Sequence, residues 1–167
     1  AWLSETVGRW QRRMDESGVA PGSVVSLEAD FSPNAIALLL ALVGRADIVV
    51  PLTSSVEAKK PEFREVAEVE VVLRVGENDE VEFARTGRTA THDLFRRLRV
   101  DGHPGLVLFS SGSTGKNKAA VHDFCRILEK FRTRRPALRT LVFLLFDHIG
   151  GINTLLHTLS NGGCVVT

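Results

Sequence analysis

The sequence predicts an α/β fold, a mostly parallel sheet with helices on both faces, from three observations. Strand-like apolar segments alternate with helix-like segments along the whole chain. Residues 106–109 and 141–146 are continuous apolar runs, the pattern of strands buried on both faces. No repeat or low-complexity tract breaks the alternation.

In order, Leu3, Val7, Trp10 and Met14 recur at helical spacing with Arg9, Arg12 and Arg13 on other faces, so the chain starts with an amphipathic helix closed by Gly18. Pro21-Gly22 makes a turn, and residues 23–27 alternate like a strand. Ser32 is placed to cap a helix with Pro33 at its first position. That helix, residues 34–43, is apolar nearly all round and belongs against a sheet. Residues 48–50 read as a short buried strand. Ser54 and Glu57 have capping-box spacing for a further helix, which Pro61 stops early or interrupts. Residues 69–75 form a strand, and Gly76-Glu77-Asn78-Asp79 turns it into a hairpin with residues 81–84. Residues 91–98 are a short helix with basic outer positions. Residues 106–109 form a strand, Phe124, Ile127, Leu128 and Phe131 a helical face, and residues 141–146 another strand. Ile152, Leu155, Leu156 and Leu159 mark a helix ended by Asn161-Gly162, and residues 164–166 begin a strand.

Composition excludes several classes. Lys plus Arg is 21 and Asp plus Glu 20, which leaves no electrostatic footprint for nucleic acid or an anionic membrane. The basic run Lys130, Arg132, Arg134 and Arg135 reads as a solvated helix end. The longest apolar stretch, residues 35–43, is too short to span a bilayer. Cys125 and Cys164 have no metal-ligand spacing and read as small core residues; His92, His103, His122 and His157 share no spacing and read as surface or packing residues. With no signal peptide in view, a cytoplasmic protein is expected.

The chemistry concentrates in one run after the apolar strand at 106–109: Ser110-Ser111-Gly112-Ser113-Thr114-Gly115-Lys116-Asn117-Lys118-Ala119. Hydroxyl donors, glycines that let backbone N–H groups approach, and two lysines together suit a polyphosphate. A Ser/Gly surface loop that happens to carry lysines has the same composition, so residue order decides. The run is not a Walker A loop, because Ser110 stands where that pattern needs its first glycine and Lys116 is not followed by Ser or Thr.

The run resembles the phosphate loop of the ATP-dependent adenylate-forming superfamily: acyl-CoA synthetases, luciferases and peptide-synthetase adenylation domains. Its usual form there is Thr-Ser-Gly-Thr-Thr-Gly-x-Pro-Lys-Gly. The resemblance implies that Ser110, Ser111, Ser113 and Thr114 donate hydroxyls, that Gly112 and Gly115 allow close approach, and that Lys116 and Lys118 face the phosphates, with Lys118 as the family's lysine. Two positions depart from the pattern: Asn117 replaces Pro and Ala119 replaces Gly. Phe146-Asp147-His148-Ile149-Gly150-Gly151 is similar to the family's next motif. By that likeness His148 borders the acyl-adenylate site and Gly150-Gly151 admit the substrate chain. Lys118, Thr114 and His148 are then the residues nearest the chemistry. Asp147 and His148 look like an acid–base pair, but neighbours at a strand end point apart.

The order of elements looks like the first subdomain of that family's large N-terminal domain, so residues 1–167 are expected to be one partial domain. The implied reaction activates a small carboxylic acid with ATP and Mg²⁺ as an acyl-adenylate. It then passes the acyl group to a thiol, with coenzyme A or a carrier protein as acceptor, as in fatty acid metabolism. The family's adenine, magnesium and ribose residues have no counterpart here, so a piece of a longer ligase, inactive alone, is expected. The alternative is a non-catalytic homologue that serves as an anion-binding or interaction module.

Overall fold

The computed structural model describes residues 2–111 and 117–167. Helix α1 (Trp2–Glu16) leads through a Gly18 turn into strand β1 (Val24–Glu28). Helix α2 (Pro33–Gly44) and strand β2 (Ile48–Leu52) follow, then a 3₁₀ segment (Ser54–Lys59), helix α3 (Lys60–Val66) and the hairpin β3 (Val71–Val75) and β4 (Val81–Arg85). Helix α4 (Asp93–Asp101) precedes a second hairpin, β5 (Gly105–Ser111) and β6 (Asn117–Asp123). The chain then forms α5 (Phe124–Glu129), β7 (Arg139–Leu141), α6 (Ile149–Ser160) and β8 (Cys164–Val166).

Among the described residues, six strands form one sheet in the order β4-β3-β1-β2-β5-β6. The inner four are parallel, and β4 and β6 close the edges antiparallel to their hairpin partners. Strand β1 lies at the centre with all five residues buried, Ser26 and Glu28 included, because helices cover both faces. On one face α1, α2, α5 and α6 pack over Val25, Leu27, Val49, Leu73 and Leu106; on the other, Phe63 of α3 and Phe95 and Leu98 of α4 cover Val24, Ile48, Val50 and Val107. The predicted fold class is the one observed.

The predicted cap of α2 is present: Ser32 Oγ accepts from Ala35 N at 3.1 Å. It also donates to Asp79 Oδ1 at 2.5 Å, so the β3–β4 turn is tied to that helix start. The Ser54–Glu57 capping box does not form. Ser54 instead donates its N–H and hydroxyl to Asp30, at 2.9 and 2.6 Å, while Glu57 pairs with Lys60, and Pro61 opens α3 where it needs no N–H.

Two further expectations fail. Residues 141–146 are not one strand: β7 ends at Leu141, beside a β8 of three residues, and the chain then turns, leaving Phe143 82% exposed and burying Phe146 against Phe31. Residues 117–119 are not loop but the start of β6, paired with residues 109–111 of β5.

The pairing of β2 with β5 runs only over Ile48 and Val49. Pro51, which has no N–H for a ladder, lies beyond it. The two strands therefore part toward their carboxyl ends. At the amino ends the structure is closed by charge pairs: Asp47 accepts from Arg45 Nε at 3.0 Å and from Ser23 N at 3.2 Å. Glu70 accepts from Val24 N, Ala90 N and Arg99.

Candidate functional site

The described motif residues, Ser110, Ser111 and Asn117 to Ala119, lie at the mouth of the β5–β6 hairpin, at the carboxyl end of β5. Ser110 lies opposite Lys118, and Ser111 opposite Asn117. Directly opposed residues of an antiparallel pair project from the same face, so a hydroxyl and an ammonium flank the mouth together. Gly112, Ser113, Thr114, Gly115 and Lys116 lie outside the described residues.

The hairpin accounts for both departures from the motif. Ala119 is extended strand opposite Phe109, where a glycine's access to positive φ serves no purpose. Asn117 starts the strand and sends its amide to Glu62 Oε1 at 3.2 Å, anchoring β6 to α3.

Where β2 and β5 part, a cavity of about 140 Å³ opens beside the hairpin mouth. Pro51 and Leu52 form one wall, Phe109 and Ser110 another, and Asp147 and His148 complete it. Phe109 is stacked on Phe63 with ring centroids 3.8 Å apart, which fixes the apolar floor. A larger open groove of about 680 Å³, beside α4 and α5, includes none of the described residues of the 110–119 run and only Ile149 of the second motif. Cavity size therefore does not select the site; its residues do.

Asp147 is held from one side only. Its Oδ2 accepts from Thr53 Oγ1 and from Ser55 Oγ, each at 2.8 Å. Among the described residues its Oδ1 is buried without a hydrogen-bond partner, and the side chain is 12% exposed. His148 Nε2 lies 3.9 Å from that oxygen, too far to bond, with its ring 63% exposed. The two do not form an acid–base pair. His148 precedes α6 as its cap residue, without a side-chain capping bond.

Gly150 and Gly151 lie in the first turn of α6. A Cβ on Gly151 would collide with the carbonyl oxygens of Leu144 and Leu145, so glycine lets the turn fold back onto the start of α6.

Nearby, buried Glu28 is ringed by Arg64 at 3.2 Å, Arg74 at 3.4 Å and Lys60 at 4.0 Å. With three cations around it, that carboxylate is a brace for the strand ends.

No family model matches the sequence, and no curated protein does. Solved structures do. The N-terminal subdomain of Klebsiella oxytoca NpsA, in complex with 3-hydroxybenzoyl-AMSN, superposes with a TM-score of 0.72 at 18% identity, over 98% of this chain and 45% of that one. CmiS6 gives 0.70 at 16%, over 98% and 43%. The inhibitor-bound N-terminal domain of FACL13 from Mycobacterium tuberculosis gives 0.71 at 17%, over 99% and 48%. The fold is that of the N-terminal subdomain of adenylate-forming enzymes. This chain spans less than half the length of these three structures. At such identities the likeness carries the adenylate-forming fold and not, by itself, the activity.

Two features of the site were not anticipated. The hydroxyl clamp on Asp147 comes from Thr53, 94 residues away, and leaves no local signal. His103, Asp123 and Cys125 converge at the far end of the β5–β6 hairpin, although His103 and Cys125 read in sequence as unrelated surface and core residues. The Asp-x-Cys spacing at 123–125 is the only hint.

Proposed function

We propose that the chain is the phosphate-loop-bearing part of an ATP-dependent, adenylate-forming carboxylate ligase. The observation that carries the proposal is the placement of the residue 110–119 motif at the mouth of a hairpin, beside a cavity walled by the second motif, on the adenylate-forming fold. Neither sequence nor fold alone has that force.

In this reading the substrate carboxylate attacks the α-phosphate of ATP, giving acyl-adenylate and pyrophosphate. The chain's own part is positioning and charge neutralisation. Ser110 and Lys118 flank the triphosphate from the two strands, with Ser111, Gly112, Ser113, Thr114, Gly115 and Lys116 between them supplying donors. Lys118 opposes the negative charge that grows on the leaving pyrophosphate. Among the described residues, no cluster of acidic side chains suited to Mg²⁺ lies at the hairpin mouth, so no step is assigned to that ion here. Transfer to a thiol, of coenzyme A or a carrier protein, belongs to the same reading; one solved relative is NpsA-ThdA, an artificially fused adenylation–PCP di-domain.

The idle Oδ1 of Asp147 narrows the acid. A buried carboxylate oxygen without a partner is costly, and a substrate N–H or O–H removes that cost. We therefore favour a carboxylic acid that carries an amino or hydroxyl group near its carboxyl end. His148 Nε2 lies 3.9 Å from the same oxygen.

The test is exchange of labelled pyrophosphate into ATP by the full-length protein, with a panel of carboxylic acids. Amino- or hydroxy-bearing acids should support exchange best. Lys118→Ala should slow it by on the order of 10², the scale for losing one charge-stabilising donor, and Lys116→Ala by less. Asp147→Ala should raise KM for the preferred acids and leave that for ATP unchanged. Residues 1–167 alone should form no adenylate. Absence of exchange with every acid would replace the ligase with the non-catalytic, anion-binding alternative.

A further inference from the structure

At the end of the β5–β6 hairpin opposite the loop, three side chains of different chemistry meet. One ligand atom each of His103, Asp123 and Cys125 lies within 4.8 Å of the other two. All three sit on well-fixed backbone. Gly102 ends α4 in the left-handed conformation, and His103 N then bonds Leu98 O at 2.9 Å. Asp123 is the last residue of β6, opposite Gly105, and Phe124 N bonds Pro104 O at 2.9 Å. Cys125 lies in the first turn of α5, where its N–H is bound by Asp123 Oδ1 at 2.9 Å.

We propose that His103, Asp123 and Cys125 form a binding site for one zinc-class divalent transition-metal ion. An imidazole, a carboxylate and a thiolate are the borderline-to-soft set that selects such ions over Mg²⁺ or Ca²⁺. Tetrahedral bonds of about 2.0–2.3 Å place ligand atoms roughly 3.3–3.7 Å apart. His103 Nδ1 and Asp123 Oδ2 now lie 2.9 Å apart. Entry of the ion exchanges that hydrogen bond for two metal bonds and a small opening of the His103–Asp123 edge. Asp123 Oδ1 keeps its cap on α5, and His103, 40% exposed, leaves the fourth position to water.

The local field favours a cation. The Asp123 and Glu129 carboxylates place negative charge at Cys125, which stabilises a divalent ion and the thiolate it binds. Arg126, with Nε 3.7 Å from Asp123 Oδ2, opposes the ion; its side chain is solvent-exposed and free to swing outward. Arg132 adds a weaker opposing charge. Gly105 and Ser111 bound the seven-residue β5, so this site is separated from the hairpin mouth by roughly 20 Å of strand. It is not the Mg²⁺ of the proposed ATP chemistry.

The test is Co²⁺ titration of the chelator-stripped full-length protein, followed by absorption. One equivalent should give a thiolate-to-cobalt charge-transfer band, displaced by Zn²⁺ and untouched by excess Mg²⁺. Cys125→Ser should abolish the band, and His103→Gln, at a half-exposed position that folding tolerates, should weaken binding at least roughly 10-fold. Cys164→Ser should change neither. Zn²⁺ should raise the melting temperature of the parent and of Cys164→Ser, and leave that of Cys125→Ser where it was. No charge-transfer band in the parent, or a band that survives in Cys125→Ser, would overturn the site. Neither outcome bears on pyrophosphate exchange.

Discussion

At the amino ends of the parallel strands, Asp47 and Glu70 use both carboxylate oxygens; at the carboxyl ends, Asp147 leaves one idle. Asp47 is bound by Arg45 and Ser23, and Arg45 in turn by Asp15 and by Val19 O at 2.6 Å. Glu70 joins two backbone N–H groups and Arg99. Thr53 and Ser55 both bond the same oxygen of Asp147, although its other oxygen is buried. Glu28, also at the carboxyl end, is surrounded by cations. Burial therefore does not distinguish these carboxylates; among the described residues, completeness of hydrogen bonding does.

The strongest challenge to that distinction is to unpair a brace. Arg45→Met leaves Asp47 buried beside an apolar chain and should cost about 3–5 kcal/mol in chemical denaturation. Asp147→Asn, made in parallel, should cost less than about 1 kcal/mol, since the hydroxyls keep an acceptor. Equal losses would erase the difference between the two ends.

A second experiment uses pH. Burial raises the Asp47 carboxyl from 3.8 to about 6, against the lowering influence of Arg45. Between those values the folded state holds the proton and the unfolded state releases it, so stability falls as pH rises from about 4 to 6. The Asp47 contribution is fully present below pH 4 and lost above 6, a span on the order of 2–3 kcal/mol. Urea midpoints across that window should show the slope in the parent and lose it in Asp47→Asn. A slope unchanged by the substitution would assign it to other groups.

The smallest effect expected is at the α2 cap. Ser32→Ala removes the bonds to Ala35 N and Asp79 and should cost about 1 kcal/mol, read by thermal denaturation. A loss near zero would show that Asp79, which also accepts from Asn34 N, caps the helix unaided.

What was legible in the sequence was local. The heptad-like run of α1, the Ser32-Pro33 start of α2 and the Gly76–Asp79 reversal each specify structure within a few residues. The errors occur where a partner decides. The apolar run at 141–146 has strand composition, but the structure pairs only Leu141 and its two predecessors with β8. Residues 117–123 lack a periodic apolar face, and only β5 across the loop makes them a strand. The 110–119 run stood out because its hydroxyls, glycines and lysines are adjacent in sequence. The Asp147 clamp and the His103–Asp123–Cys125 cluster did not, because each joins segments that only the fold brings together.

The arrangement of hairpins at the edges and parallel strands within has a consequence in time. Strands β5 and β6 join residues as close as 111 and 117, and β3 and β4 residues 75 and 81. Such ribbons close in about 1–10 μs. Strand β1 must find β3 across a sequence separation of 46, Val25 to Val71, and β2 must find β5 across one of 57, Ile48 to Gly105. Those longer closures carry the greater entropy cost and set the pace of folding. The ribbon that carries the phosphate-loop motif is thus among the earliest pieces able to assemble, while the cavity beside it exists only once the slow interior pairing has brought β2 alongside.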